Sequence, residues 1–257
     1  MIYAKAGVGK TYLAMRIAIS ISSGLDFLYW RNKAKHKVLY IDGEMQVADM
    51  QKRQREYMKK LGVDKDTIVL DLFSNDHQEN PLPNLSSIEG QADLNPIIGN
   101  YDMVIIDNIS TLCMTGKENC SDNWDIMQNR LLDLRRRNIA VVIIHHGNKN
   151  NGFRGTSRMS DGLDKVISLT RDSDGQIKNG ACFTLSFDKC RHLHGKEVED
   201  LYLQLVDSDF VETSKFISER DAKTLKMVEQ GISFKDIGQG FNISKQVVGN
   251  IVKKHKS

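Results

Sequence analysis

The 257-residue chain is predicted to be an α/β protein with a mostly parallel sheet flanked by helices. Two observations predict this class. A glycine-rich loop near the N-terminus runs directly into a helix-like stretch, and short apolar runs then alternate with longer amphipathic patterns. Hydrophobic residues make up 40% of the chain and charged residues 27%, which is enough apolar material for a well-buried core.

The glycine-rich loop has the sequence Ala-Lys-Ala-Gly-Val-Gly-Lys-Thr and fits the phosphate-loop pattern Ala/Gly-x-x-x-x-Gly-Lys-Ser/Thr. Gly7 and Gly9 let backbone N–H groups point at a polyphosphate, Lys10 reaches the β- and γ-phosphates, and Thr11 offers a hydroxyl to Mg²⁺. The alternative is a chance match. We expect Mg-ATP or Mg-GTP, bound by Ala4, Lys5, Ala6, Gly7, Val8, Gly9, Lys10, Thr11 and Tyr12.

Strand-like runs lie at residues 37–42, 67–73, 103–107 and 139–145, and helical patterns lie at residues 47–61 and 121–137. This alternation is typical of a parallel sheet, whose ligands bind at the carboxyl ends of the strands. The polar stretch of residues 74–100 contains all three prolines and is predicted to be a long surface excursion.

Charged and imidazole side chains follow three of these runs. Glu44 could activate the water that attacks a γ-phosphate, and Asp107 could bind the Mg²⁺ held by Thr11. His145 and His146 end the fourth run, where one imidazole could sense the γ-phosphate. The alternatives are a first-turn helix residue for Glu44, a simple loop start for Asp107, and an ordinary hydrogen-bonded polar residue for the histidine.

A glycine-rich polar loop follows the histidines. It carries Lys149, Arg154 and Arg158, with Phe153 as a stacking ring, which suits contact with single-stranded nucleic acid. An ordinary solvated loop is equally consistent with its composition. Further strand-like runs lie at residues 165–171, 181–188 and 201–206.

Lys189 and Arg191 stand at alternate positions of an extended segment and therefore project to the same side. Such a pair could clamp a phosphate, either in its own subunit or in a neighbour.

Composition also excludes some classes. No apolar run approaches the roughly 20 residues of a membrane helix, and the first residues leave no room for a signal peptide, so we expect a cytoplasmic protein without a membrane partner. The cysteines form no closely spaced pair, which favours free thiols over disulfides or zinc: Cys113, Cys120, Cys182 and Cys190.

The C-terminal segment, residues 215–257, is basic, with a net charge of +5. Ser218, Ser233 and Ser244 are predicted to cap three short helices, with Val247, Val248, Ile251 and Val252 of the third facing inward. This pattern indicates a helix-turn-helix unit that follows a domain of residues 1–210. A three-helix packing or oligomerisation module is the alternative. In the major groove, Lys245, Gln246 and Asn250 would lie near bases, and Lys253 and Lys254 near phosphates.

Together, residues 4–11, 40–45, 103–107, 143–147 and 189–191 resemble the RecA-type ATPase core, in particular the plasmid RepA-type and DnaB-type hexameric helicases. The resemblance covers residues 2–206. It implies ATP as the nucleotide, Glu44 as catalytic base, His145 as sensor, a DNA-facing loop at 149–158, and action of Lys189 and Arg191 on the adjacent subunit. The family has a full strand before the loop, so we expect the natural product to extend upstream.

The sequence thus predicts a RecA-like ATP hydrolase, assembled as a homo-oligomeric ring, expected to be a hexamer, that passes single-stranded DNA through its channel as a replicative helicase or DNA-remodelling enzyme. Two alternatives remain. One is an ATP-switched regulator that binds duplex DNA through its C-terminal segment, and the other is a recombinase-like or clock-type ATPase of the same fold.

Overall fold

The computed structural model describes residues 1–113, 121–148, 152, 158–171, 181–213 and 219–256. The chain divides into two compact units. The first comprises residues 1–171 and 179–213, and the second comprises residues 172–178 and 214–257. The first unit is α/β, whereas the described residues of the second form three helices joined by turns.

In the described part of the first unit, nine strands form one sheet in the order β3-β2-β4-β5-β1-β6-β7-β8-β9. The five pairings from β3 to β6 are parallel, and the three from β6 to β9 are antiparallel. The strands are β1 Ile2–Ala4, β2 Val38–Asp42, β3 Leu70–Ser74, β4 Met103–Asp107, β5 Ala140–His146, β6 Lys165–Thr170, β7 Cys182–Cys190, β8 Leu201–Val206 and β9 Asp209–Glu212.

Helices cover both faces of this sheet. Along β2, Val38 and Tyr40 belong to one hydrophobic cluster and Leu39 and Ile41 to another, because successive side chains of a strand point to opposite faces. The first cluster includes side chains of α1 (Lys10–Ser23) and α2 (Val47–Leu61), and the second includes side chains of α3 (Ile88–Ile98) and α5 (Ser121–Arg136). The predicted fold class is confirmed. The helices are α1 Lys10–Ser23, α2 Val47–Leu61, α3 Ile88–Ile98, α4 Ile109–Leu112, α5 Ser121–Arg136 and α6 Arg158–Asp161.

The prediction of a surface excursion at residues 74–100 is wrong. Most of its second half is α3, whose N-cap Ser87 accepts a hydrogen bond from the Gly90 N–H at 3.0 Å. Leu94 and Ile98 of this helix are buried in the second cluster. Pro96 lies in its last turn, where a proline still permits the preceding turns to form.

The second unit contains α7 Glu219–Glu229, α8 Phe234–Phe241 and α9 Lys245–Lys256. Ser233 caps α8 as predicted, whereas Ser218 lies outside the described residues. A three-residue turn joins α8 to α9, and Asn242 adopts the left-handed conformation there, with φ of 53°. Val248 and Ile251 are buried, but Val247 is 38% exposed, so the prediction that it faces inward is wrong.

No helix in the described ranges is long and apolar enough to cross a membrane. Cys113, Cys182 and Cys190 form no disulfide, and Cys120 lies outside those ranges.

Candidate nucleotide-binding site

The parallel pairing brings the carboxyl ends of β1, β2, β4 and β5 to one edge of the sheet. In register, Asp42 lies beside Asp107, and Ala4 lies beside His146. A cavity of about 520 Å³ lies at this edge. Its lining combines the loop after β1 with residues from three strand ends: Ala6, Gly7, Gly9, Lys10, Thr11, Tyr12, Glu44, Met45, Arg53, Asp107, Asn108, His146 and Ala181.

The loop between β1 and α1 has the curled backbone that a phosphate loop requires. Gly7 and Gly9 have φ of 74° and 125°, values that residues with a side chain rarely adopt. Gly9 also lies where a Cβ atom would come within 2.6 Å of the Ala181 Cβ. Of the other predicted loop residues, Val8 is buried in the core and Lys5 is exposed, and neither lines the cavity.

The Lys10 side chain is hydrogen-bonded to the first two residues of the phosphate-loop sequence. Its Nζ donates hydrogen bonds to the carbonyl oxygens of Ala4 at 2.9 Å and Lys5 at 3.0 Å. Burial lowers the pKa of Lys10, and the nearby carboxylates of Asp107 and Glu44 oppose that shift. The ammonium is therefore held at the base of the cavity, where an anionic ligand would restore the favourable electrostatics lost on burial.

Asp107 is 4% exposed at the end of β4. Its Oδ2 accepts a hydrogen bond from the Tyr40 hydroxyl at 2.7 Å, and Thr11 is close enough to affect the pKa of the carboxyl. Burial raises the pKa of Asp107, and the hydroxyls of Tyr40 and Thr11 together with the charge of Lys10 oppose the rise. A bound cation would stabilise the ionised carboxylate in the same way.

The oxygens of Thr11 and Asp107 fit Mg²⁺. Mg²⁺ prefers hard oxygen ligands and is commonly bound by one or two protein oxygens together with substrate phosphates. Among the described residues, no group of three or more His, Cys, Asp or Glu side chains could hold a metal by itself. The pair at Thr11 and Asp107 therefore suits a cation that arrives with a polyphosphate.

Glu44 and His146 meet at Asn108. The Asn108 Nδ2 donates a hydrogen bond to Glu44 Oε2 and lies 3.1 Å from His146 Nε2. The distance from His146 Nε2 to Glu44 Oε2 is 3.5 Å. Asn108 is 1% exposed, whereas the Glu44 side chain is 54% exposed and reaches into the cavity.

The two histidines at the end of β5 differ in their access to the cavity, and His145 is the predicted sensor. His145 is 5% exposed and does not line the cavity, while His146 does. The reason is the alternation of side chains along β5, which sends consecutive residues to opposite faces. Of the two histidines, His146 is therefore the one that the structure places at the cavity.

Arg53 is a cavity residue that sequence reasoning missed. Its guanidinium carbon lies 4.1 Å from the centroid of the Tyr12 ring, and its Nη1 donates to Met45 Sδ at 3.2 Å. Arg53 stands three residues after Met50 and four before Tyr57, both buried. This helical spacing was a signal that could have placed it on the inward face.

Lys189 and Arg191 lie outside the cavity lining. The Lys189 Nζ donates to the carbonyl oxygens of Ser160 at 2.6 Å and Asp161 at 3.2 Å, and Arg191 Nη2 donates to Asp161 at 2.8 Å. The pair projects to one side, as predicted, and binds the end of α6.

The predicted DNA loop falls largely outside the residues that the structure describes. This applies to Lys149, Phe153, Arg154 and the side chain of Arg158.

The predicted base-contacting and phosphate-contacting residues of the C-terminal segment belong to α9. Lys245, Gln246, Asn250 and Lys253 are exposed. The side chain of Lys254 is outside the described part. The exposed positions form a polar, basic surface that includes Val247.

Residues 1–152 match the model of the AAA_25 family, described as an AAA domain. Among solved structures, the chain is similar to the crystal structure of the RadB recombinase, with 13% identity and a TM-score of 0.58 over 83% of this chain and 89% of that one. No curated protein matches the chain. At this identity the structural likeness shows the fold alone, which is RecA-like.

Proposed function

Since the chain belongs to the AAA_25 family of AAA domains and has a RecA-like fold, it is a P-loop ATPase, and we propose that it is a Mg²⁺-dependent ATP-hydrolysing motor that acts on DNA as a helicase or remodelling enzyme. The observation that carries the ATPase part is the convergence of Lys10, Thr11, Glu44 and Asp107 on one cavity. A cation, a metal-binding pair and a base are the groups that phosphoryl transfer to water requires.

Each group has a distinct task in hydrolysis. The N–H groups of the loop and Lys10 would bind the β- and γ-phosphates, and Thr11 and Asp107 would hold a Mg²⁺ ion that supplies positive charge to the phosphate oxygens. Glu44 orients a water and takes its proton. His146 lies next to Glu44 and senses whether a γ-phosphate is present. Tyr12 and Arg53 offer a ring and a planar cation for the nucleobase.

Two variants test these roles separately. Lys10→Ala should abolish turnover and weaken ATP binding, because the loop loses its cation. Glu44→Gln should retain ATP binding while hydrolysis falls about 100-fold or more, the scale of a lost general base. Binding is measured by fluorescent-nucleotide titration and turnover by phosphate release. Normal hydrolysis by Glu44→Gln would show that the base lies elsewhere.

The DNA part of the proposal rests on charge and on the exposed surface of α9. We propose an ATPase domain over residues 1–210 and a DNA-binding segment over 215–257, assembled as a hexamer that contacts single-stranded DNA through the loop at 149–158. We place it in the cytoplasm, where ATP and DNA are both available. ATP hydrolysis that is stimulated by single-stranded DNA, together with strand displacement, would support the motor.

Two other functions predict different results in the same assays. The likeness to the RadB recombinase favours a recombinase, which would exchange strands between homologous DNAs without unwinding a fork substrate. The compact α8–turn–α9 arrangement favours an ATP-switched regulator, which would hydrolyse slowly and bind a duplex site only with ATP. Parallel ATPase, strand-displacement, strand-exchange and duplex-binding assays separate the three.

A further inference from the structure

We propose that Asn108 is a positioning residue for hydrolysis. Its side-chain amide fixes one oxygen of the Glu44 carboxylate, and the other oxygen is left to take the proton of the attacking water. This inference rests on the proposed role of Glu44 as the general base and assigns a function to a residue that neither the loop pattern nor the strand-end carboxylates identify.

The orientation of the Asn108 amide is set by the helix that it caps. Its Oδ1 accepts a hydrogen bond from the Thr111 N–H at 3.2 Å, as an N-cap residue does. Since that oxygen is occupied, the two N–H groups of Nδ2 must face the other way, toward Glu44 and His146. Because Oδ1 caps α4, the atom of Asn108 that faces the cavity is the hydrogen-bond donor Nδ2.

The backbone around Asn108 is held firmly. Ile109 and Leu112 of α4 are buried at 4% and 2% exposure. The Gly43 N–H donates to the Asp107 carbonyl oxygen at 2.8 Å, which ties the turn that carries Glu44 to the end of β4. A Cβ at Gly43 would lie 2.6 Å from Thr111 Oγ1, so only glycine permits this close approach. Asn108 and Glu44 are thus brought together by packing of the main chain.

Glu44 needs such a partner because its side chain is exposed. A carboxylate at the end of three rotatable bonds, with 54% of the side chain accessible, would otherwise sample many rotamers. Effective base catalysis requires the carboxylate to stay within hydrogen-bond reach of the water. Asn108 is only 1% exposed and is therefore fixed in place. Its Nδ2 donor restricts the Glu44 carboxylate to one arrangement at the cavity.

The test must separate positioning from capping. Asn108→Asp keeps the shape and the cap but replaces the donor with a like charge, and Asn108→Ser keeps a capping hydroxyl that is too short to reach Glu44. We expect kcat to fall about 10-fold or more in both, the scale of a partly impaired base. Asn108→Ser should leave the Kd for ATP and the thermal midpoint near wild type, whereas Asn108→Asp, which buries a further carboxylate beside Glu44 and Asp107, should also lose ATP affinity and stability. Ser87→Ala, which removes the cap of α3, is the control and should lower the thermal midpoint without lowering kcat.

A double-mutant comparison identifies the residue through which Asn108 acts. In a Glu44→Gln background, Asn108→Asp and Asn108→Ser should cause no further loss, because the positioned base is already gone. The proposal is overturned by an equal fold-loss in both backgrounds, by a loss in ATP binding alone, or by a rise in kcat. A wild-type rate for Glu44→Gln would instead refute the proposed base, which keeps the two failures distinct.

Discussion

Lys189 and Arg191 donate hydrogen bonds to the same acceptor, the carbonyl oxygen of Asp161. This oxygen lies in the last residue of α6, where backbone carbonyls have no acceptor role within the helix and can bind cationic donors. The pair is thus bound within its own chain in this structure. If it acts on the ATP of a neighbouring subunit, as the helicase-type proposal requires, it must exchange this carbonyl for a phosphate.

Subunit mixing tests action across subunits. Arg191→Ala and Lys10→Ala proteins should each have low ATPase activity alone. Mixed in equal amounts they should regain part of it, because one kind of interface then combines an intact phosphate loop with an intact Arg191. Steady-state phosphate release on rings whose mixed composition is verified by mass measurement gives the answer.

Lys196→Ala provides the control for mixing, since this exposed lysine lies near the pair in sequence and has no assigned role. It should be active alone and should give no gain beyond simple dilution when mixed with Lys10→Ala. Absence of recovery in the mixed Arg191→Ala rings would count against a role in the adjacent subunit.

Gly9 should tolerate no side chain. Gly9→Ala would combine a φ of 125° with a Cβ placed 2.6 Å from the Ala181 Cβ, so we expect a loss of about 2 kcal/mol or more in the free energy of unfolding and a loss of ATP binding. Gly7→Ala is the matched variant: φ is 74° but no atom lies within 4 Å of the added Cβ. Urea unfolding should show the smaller loss for Gly7→Ala, and equal losses would contradict the packing argument.

The sequence predicted those parts of the site that follow from one contiguous pattern. The loop from Ala4 to Thr11 and the strand ending at Asp107 are of this kind, because backbone conformation and side-chain direction there depend on neighbours in the chain. The choice between His145 and His146 depended on the phase of alternation along β5, and a shift of one residue exchanges the faces.

Other parts depended on contacts between distant residues. Asn108 and Glu44 are 64 positions apart, and their hydrogen bond requires the register that sets β2 beside β4. The sequence does not predict the helix α3, because the prolines of this stretch indicate a loop more strongly than the apolar spacing of Leu94 and Ile98 indicates a helix. These two residues are buried by contacts with the second hydrophobic cluster, whose residues are spread along the sequence. The edge strand β9 was missed too, as its four residues carry little periodic signal.

Asp42 should make stability depend on pH. Burial raises the pKa of its carboxyl from 3.8 to about 7, and the nearby Asp107 charge adds to the rise. Between about pH 4 and pH 7 the folded protein therefore binds more protons than the unfolded chain, so the free energy of unfolding falls as pH rises and levels off above pH 7. Asp42→Asn should remove this slope and be more stable at pH 8, on the order of 2 kcal/mol.

The Asp42 measurement is urea unfolding at pH 5 and pH 8 without nucleotide or Mg²⁺, so that no bound cation changes the local charge. The difference between the two proteins should be smaller at pH 5, where the native carboxyl is mostly protonated and only part of the linkage has been lost, and should grow by pH 8. A difference that is the same at both pH values would assign the effect to altered packing or hydrogen bonding, such as the bond that Asp42 accepts from the Met45 N–H at 2.9 Å.

Removal of residues 215–257 should separate the two proposed activities. All residues that line the nucleotide cavity lie at or before Ala181, so basal ATP hydrolysis should remain largely intact. Sequence-preferring binding to duplex DNA should disappear, because the removed segment carries a net charge of +5 and the exposed surface of α9. If the oligomer instead disperses while duplex binding survives, the segment is an assembly module.

Single substitutions on α9 should distinguish phosphate contacts from base contacts. Replacing Lys253 and Lys254 should weaken binding to all sequences. It should also flatten the salt dependence of binding, because a protein that contacts fewer phosphates releases fewer counterions when it binds. Replacing Gln246 or Asn250 should change which site is preferred, because amide side chains pair with base edges.

Val247 is 38% exposed on the same helix and would contact a thymine methyl. In a site obtained by selection, exchange of that thymine for uracil should weaken the wild type and leave Val247→Ala unaffected, whereas equal weakening of both would exclude Val247 from the contact.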